Sequence, residues 1–158
     1  MSHFYSQSKG VLTLDEVITE VIEFVKAEPA RWYHIIIGSD SASSSPVELV
    51  TAVTVWRVGN GAIHFWTKAE PKIFLTLRDR IYAETMNSIT LAQEARSRLR
   101  DRLGDEAFWD NQVHIDVGEN GPTRELIDTV VGMVKGYGFV ARIKPDAYCA
   151  TKVADRHV

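Results

Sequence analysis

The stretch Trp32-Tyr33-His34-Ile35-Ile36-Ile37-Gly38-Ser39-Asp40 decides the fold of this 158-residue sequence. Its three consecutive isoleucines predict a strand that is apolar on both faces and therefore covered on both sides. We predict that this strand extends from Trp32 to Ser39, and Asp40 follows it directly. A strand-ending aspartate before serines is also typical of an Asx-turn, so Asp40 alone does not establish a functional site.

The sequence on either side of this strand predicts an α/β domain. Thr13 and Glu16 have the spacing of a capping box, and the apolar pattern that follows predicts a helix over about 13–28. Gly59-Asn60-Gly61 predicts a tight turn between two β-branched, aromatic-rich runs, and hence a hairpin. The further predicted elements are the hairpin strands 47–58 and 62–68, a helix over about 73–103, a strand at 112–117, a helix at 122–135, a strand at 138–143 and a short closing helix.

This order of elements predicts one domain over residues 1–158 with a mixed five-stranded sheet. Three antiparallel strands come first, and two parallel strands follow because a helix separates them. Helices on both faces are the simplest way to bury such a sheet.

Composition limits the classes of function. The formal net charge is −3, which argues against a surface that coats nucleic acid as a whole. A bound metal ion can still attract a phosphodiester at one site, even when the net charge of the protein is negative. The single cysteine, Cys149, favours a reducing compartment, and no apolar run approaches the ~20 residues of a membrane span. We therefore expect a cytoplasmic protein without a membrane partner.

Four acidic residues are candidates for a shared site: Asp40, Glu84, Asp116 and Asp155. Asp116 ends the apolar run 113–115, so it would lie beside Asp40 if the two strands are parallel neighbours. On its helix Glu84 lies roughly 60° from the centre of the apolar stripe, and a buried carboxylate must be paired or bound to metal. A salt bridge to Arg80 is the alternative for Glu84, and plain exposure is the alternative for Asp155.

Phosphate contacts are expected near these acids. The loop Gly118-Glu119-Asn120-Gly121-Pro122-Thr123 opens a helix, where exposed amides can hold a phosphate, although a plain strand-to-helix turn explains the loop equally well. Lys144 and Lys152 flank the same region. We take Lys152 and Thr123 as candidate substrate-binding residues.

Four segments of the chain resemble the YkuK-like family of predicted ribonuclease H-related nucleases. They are Ile37-Gly38-Ser39-Asp40-Ser41, His114-Ile115-Asp116-Val117-Gly118, Lys144-Pro145-Asp146-Ala147-Tyr148 and Val153-Ala154-Asp155-Arg156-His157. The resemblance implies a ribonuclease H-like fold and a two-metal hydrolase with Mg²⁺ or Mn²⁺. By the same resemblance, Asp40 would bridge both ions, Glu84 and Asp116 would hold one, and Asp155 would bind the other.

The leading functional hypothesis is therefore a metal-dependent nuclease that cleaves RNA, DNA or a hybrid by means of Asp40, Glu84, Asp116 and Asp155. One alternative is a non-catalytic module of the same fold that binds nucleic acid or protein. Another is a nucleotide-binding protein that uses the loop 118–123 for phosphate. The sequence leaves all three open.

Overall fold

A seven-stranded mixed sheet forms the centre of the protein in the computed structural model, which describes residues 3–42, 45–104 and 109–158. The strand order is β2-β1-β5-β4-β3-β6-β7. β6 pairs parallel to β3 and β7 parallel to β6, while the other pairs are antiparallel. The strands are β1 Phe4–Ser6, β2 Gly10–Leu12, β3 Tyr33–Ser41, β4 Leu49–Arg57, β5 Ala62–Lys68, β6 Trp109–His114 and β7 Val140–Arg142.

The predicted sheet of five strands is wrong in number, because β1 and β2 extend it at one edge. Each of these strands has only three residues, which is too short for an alternating pattern to be visible in sequence. They form because β1 pairs with the edge of β5, and Phe4 and Leu12 then enter the core. The five predicted strands are present, although β6 begins at Trp109 and ends at His114, earlier than predicted.

Among the described residues, three α-helices accompany the sheet: α1 Leu14–Ala27, α2 Leu77–Leu103 and α3 Ile127–Gly136. α1 begins after the Thr13–Glu16 capping box that the sequence predicts. α2 begins at Leu77, later than predicted, because the side chain of Thr76 accepts a hydrogen bond from the Asp79 amide and caps the helix there. A 3₁₀ turn, Arg124–Leu126, precedes α3.

The two faces of the sheet are covered differently. Ile35 and Ile37 of β3 belong to the larger core with residues of all three α-helices. Ile36 faces the other way, into a smaller core with Cys149 and Ala154. That second face is covered by a π-helical stretch, Cys149–Ala154, followed by a 3₁₀ turn, Asp155–His157. None of the helices in the described ranges combines the length and apolarity needed to cross a bilayer.

A glycine lets this C-terminal segment cross β3 at very short range. A Cβ atom on Gly38 would lie 2.6 Å from the backbone nitrogen of Ala150, so a side chain does not fit there. The Cys149 amide also donates a hydrogen bond to Nδ1 of His114 in β6. The start of the segment is therefore held against both central parallel strands, two residues from Asp40 along β3.

Candidate metal centre

Three carboxylates meet where β3 and β6 end. Asp40 is the penultimate residue of β3, Glu84 belongs to α2 and Asp116 follows β6, and one oxygen of each lies within 4.8 Å of the others. The register explains the meeting of the two aspartates: Gly38 pairs with His114, and each aspartate comes two residues later on its own chain segment. Convergence of Asp40 with Asp116 is what parallel neighbouring strands predict.

Glu84 reaches the cluster from the second turn of α2. Its side chain is buried, in agreement with its predicted place on the apolar side of the helix. Ser41 Oγ donates a hydrogen bond of 2.5 Å to Glu84 Oε2 and so fixes the carboxylate beside the end of β3. Arg80 lowers the pKa of Glu84 electrostatically, but less than this hydrogen bond does. The hydrogen-bond partner of Glu84 is therefore Ser41, rather than the arginine that the sequence offers.

The electrostatics of the cluster favour a bound cation. The pKa of Asp40 is raised to about 8, chiefly by burial, with further contributions from the hydrogen bond to Asp155 and the negative charges of Asp116 and Glu84. Burial also raises the pKa of Glu84 to about 7, with a contribution from Asp116. Close, buried carboxylates keep protons in this way, and a divalent cation bound among them would reverse the effect.

The donor set fits a hard divalent cation. Every candidate ligand atom is a carboxylate oxygen, which suits Mg²⁺ or Mn²⁺ better than a thiophilic metal. In addition, the buried Oδ1 of Asp116 accepts no hydrogen bond among the described residues, and the charge that approaches it is itself a cation, the ammonium of Lys144 at 2.9 Å. The residues present therefore fit the metal that the sequence predicts.

Asp155 lies beside the cluster and contacts Asp40. It begins the 3₁₀ turn at the end of the C-terminal segment and is exposed to solvent. Its carboxyl shares a hydrogen bond with that of Asp40, and this contact raises the pKa of Asp40. The structure thus brings three of the four predicted acids within 4.8 Å of one another, while Asp155 contacts Asp40 from the solvent side and is not part of that group. Their roles as metal ligands or catalytic groups stay predictions.

Lys144 adds a positive charge to the same site. Its ammonium lies 2.9 Å from Asp116 Oδ1 and also lowers the pKa of Glu84. A Cβ atom on Gly118 would lie only 3.1 Å from Lys144 Cβ, so the glycine leaves room for the lysine stem. The sequence shows Lys144 only as a flanking lysine, because the close approach of Gly118 depends on the fold.

The two predicted substrate-binding residues lie on opposite sides of this lysine in sequence. Thr123 Oγ1 accepts a hydrogen bond of 3.1 Å from the Gly118 amide, so the threonine closes its own loop. That amide is consequently already used within the loop, which weakens the nucleotide-binding alternative. Lys152 is exposed on the C-terminal π-helical stretch. Contact of either residue with substrate stays a prediction.

The sheet is mixed, and two aspartates lie where its parallel strands end. A glutamate from a helix that packs on the sheet lies beside them. This combination defines a class of protein. The family model described as "Ribonuclease H-like" matches residues 16–158, and the chain belongs to this family. The chain is also 30% identical, over 97% of its length and 95% of the relative, to the "Uncharacterized protein YkuK" of Bacillus subtilis (strain 168). No solved structure matched the chain. A single domain spanning 1–158 stays a prediction.

Proposed function

We propose that this protein is a divalent-metal-dependent nuclease that hydrolyses phosphodiester bonds of RNA or DNA. The observation that supports this most strongly is the convergence of Asp40, Glu84 and Asp116 within 4.8 Å. Two of these residues lie where parallel strands end and one lies on a helix, so the fold itself assembles the cluster. Membership in the ribonuclease H-like family adds support, because the cluster lies in a nuclease-type fold.

Asp40, Glu84 and Asp116 would hold Mg²⁺ or Mn²⁺, and Asp155 would complete the site from the solvent side. When bound, a pair of such ions would supply positive charge for activating water and for stabilising the leaving oxygen. Buried carboxylates with raised pKa values bind protons in competition with metal, so the site would load best above neutral pH.

The chain's own residues prepare the site. Ser41 fixes Glu84 by a hydrogen bond, and the Ser41 amide donates to Asp40 Oδ1 at 2.8 Å. One residue therefore orients two of the proposed ligands. Lys144 presents a half-exposed ammonium at the cluster, where it would attract the phosphate of a nucleic-acid strand. A charge of this kind concentrated at the site is compatible with a net charge of −3 for the whole chain.

The test is a cleavage assay on purified protein with single-stranded, duplex, hybrid and branched substrates, in Mn²⁺, in Mg²⁺ and in EDTA. We expect metal-dependent cleavage that falls by about 100-fold or more in Asp40→Asn, since even groups that only support a ligand cost up to about 100-fold. Asp128→Asn is the matched control, because Asp128 is exposed on α3.

Two results would overturn the proposal. One is inertness on all four substrates with both metals. The other is cleavage that survives Asp40→Asn unchanged. Nucleic-acid binding that needs no metal and persists in the variant, without cleavage, would instead identify a non-catalytic module on this fold.

A further inference from the structure

Asp155 belongs to a helical turn that is too short to hold itself in place. The 3₁₀ turn Asp155–His157 has three residues, and isolated turns of this length are not stable in water. The Asp155 side chain is exposed, so burial does not fix it. Its carboxyl nevertheless reaches the buried carboxyl of Asp40. The orientation of the turn must therefore come from contacts on either side of Asp155.

The chain before Asp155 is well held. Ala154 is fully buried in the smaller core with Ile36, Val50 and Ala52. The Asp155 amide also donates to the carbonyl of Ala150, one π-helical turn earlier. These contacts fix the backbone up to Asp155. They do not determine the direction in which the turn continues.

The chain after Asp155 is held by an aromatic stack. The imidazole of His157 lies parallel to the indole of Trp66, at 3.5 Å between ring centroids and 3° between ring planes. Trp66 is in the middle of β5, in register with Ala52 of β4 and Tyr5 of β1. The stacking partner is therefore part of the rigid sheet. His64, also of β5, lies 5.6 Å from both rings and extends the stack.

We propose that the stack of His157 on Trp66 is a positioning device that holds the turn carrying Asp155 against Asp40. Ala154 anchors the turn on one side of Asp155 and His157 anchors it on the other. Because both sides of the turn are held, the Asp155 carboxylate keeps its orientation toward Asp40 although it is exposed. The inference that this orientation matters for metal binding rests on the proposed function, whereas the anchoring itself does not.

The anchoring is tested on metal-free protein by amide hydrogen exchange of the C-terminal turn. Two amides report on it: that of Asp155, which bonds Ala150, and that of Val158, which bonds the Asp155 carbonyl at 3.3 Å. We expect His157→Ala to speed their exchange by about 10-fold, and His157→Phe to restore protection because phenylalanine also stacks on an indole. Equal exchange in the wild type and His157→Ala would overturn the proposal.

The consequence for the site is tested by Mn²⁺ titration followed by calorimetry. We expect His157→Ala to weaken binding by about 10-fold, as for other groups that orient a ligand, and His157→Phe to bind as the wild type does. The double variant with Asp155→Asn should bind no more weakly than Asp155→Asn alone, because both changes act through one carboxylate. Additive losses would mean that His157 acts by general destabilisation, and would overturn the proposal.

Trp56→Leu is the matched control for both measurements. Trp56 lies on the neighbouring strand β4, is partly exposed and contacts a histidine, His34, at 5.4 Å between ring centroids. We expect neither the exchange of the turn nor the affinity for Mn²⁺ to change. A wild-type protein that binds no Mn²⁺ would contradict the proposed function, and the exchange measurement would still decide whether His157 anchors the turn.

Discussion

The Nζ atom of Lys144 lies 2.9 Å from Oδ1 of Asp116 at the centre of the carboxylate cluster. The approach depends on Gly118, because a side chain there would press on the lysine stem. A tethered cation thus stands at the place where a divalent cation would be bound. It partly neutralises the cluster and lowers the pKa of Glu84, and so reduces the repulsion among the converging carboxylates.

Replacing Lys144 with methionine is expected to tighten Mn²⁺ binding by roughly 3- to 10-fold, since like charges near one site oppose each other even in a partly solvated setting. Cleavage should fall in the same variant, because the ammonium no longer attracts the substrate phosphate. Calorimetry with Mn²⁺ and the cleavage assay measure the two effects. Lys152→Met is the control for metal affinity. Weaker Mn²⁺ binding in Lys144→Met would contradict the idea that Lys144 competes with the metal.

Metal affinity is expected to depend on pH through the two raised carboxyl pKa values. The pKa of Glu84 is about 7 and that of Asp40 about 8, so both groups bind protons increasingly as the pH falls from 9 to 6. Metal needs the charged forms, and affinity for Mn²⁺ should therefore fall by about 10-fold or more across this range. Calorimetry at several pH values would show proton release on binding. An affinity that does not change between pH 6 and 9 would contradict this.

How much of this site the sequence predicts depends on which residues are considered. Asp40 and Asp116 were predictable because both follow apolar runs, and parallel neighbouring strands bring their ends together. Glu84 was predictable from its helical phase, although the start of α2 depended on the cap at Thr76. These residues owe their positions to patterns that are local in the sequence.

The remaining features depend on contacts between distant segments. β1 and β2 have three residues each and form by pairing at the edge of β5, so no local periodicity in the sequence predicts them. The stack of His157 on Trp66 and the approach of Gly118 to Lys144 likewise exist only once the sheet is assembled. The converging carboxylates could therefore be predicted from the sequence, but the aromatic, glycine and lysine contacts around them could not.

The stability of the metal-free protein is expected to rise when Glu84 is replaced with glutamine. Because its folded pKa is raised to about 7 from 4.5, the folded state binds more protons than the unfolded state, and stability is lost as the pH rises through this range. Glutamine stays neutral and can still accept the Ser41 hydrogen bond. We expect a gain in melting temperature of about 5 °C at pH 8 and little change at pH 4.

The matched control is Glu94→Gln, on the exposed side of the same helix. It should leave the melting temperature within about 1 °C, as is usual for surface changes. Saturating Mn²⁺ should stabilise the wild type more than Glu84→Gln, since only the wild type has all the proposed ligands. A Glu84→Gln protein that melts below the wild type at pH 8 without metal would show that the ionised Glu84 carboxylate does not destabilise the folded state.

Gly38→Ala is expected to disturb both the fold and the site. The added Cβ would lie 2.6 Å from the backbone nitrogen of Ala150, and backbone cannot swing aside as a flexible side chain can. The C-terminal segment must then move off β3, which should lower the free energy of unfolding by about 1–3 kcal/mol and weaken Mn²⁺ binding. Urea denaturation measures the first effect and calorimetry the second.

Gly132→Ala in α3 is the control, because its Cβ meets no atom within 4 Å and alanine should stabilise the helix by up to about 1 kcal/mol. A Gly38→Ala protein as stable as the wild type would mean that the segment does not lie against β3 as closely as the approach of Ala150 to Gly38 requires.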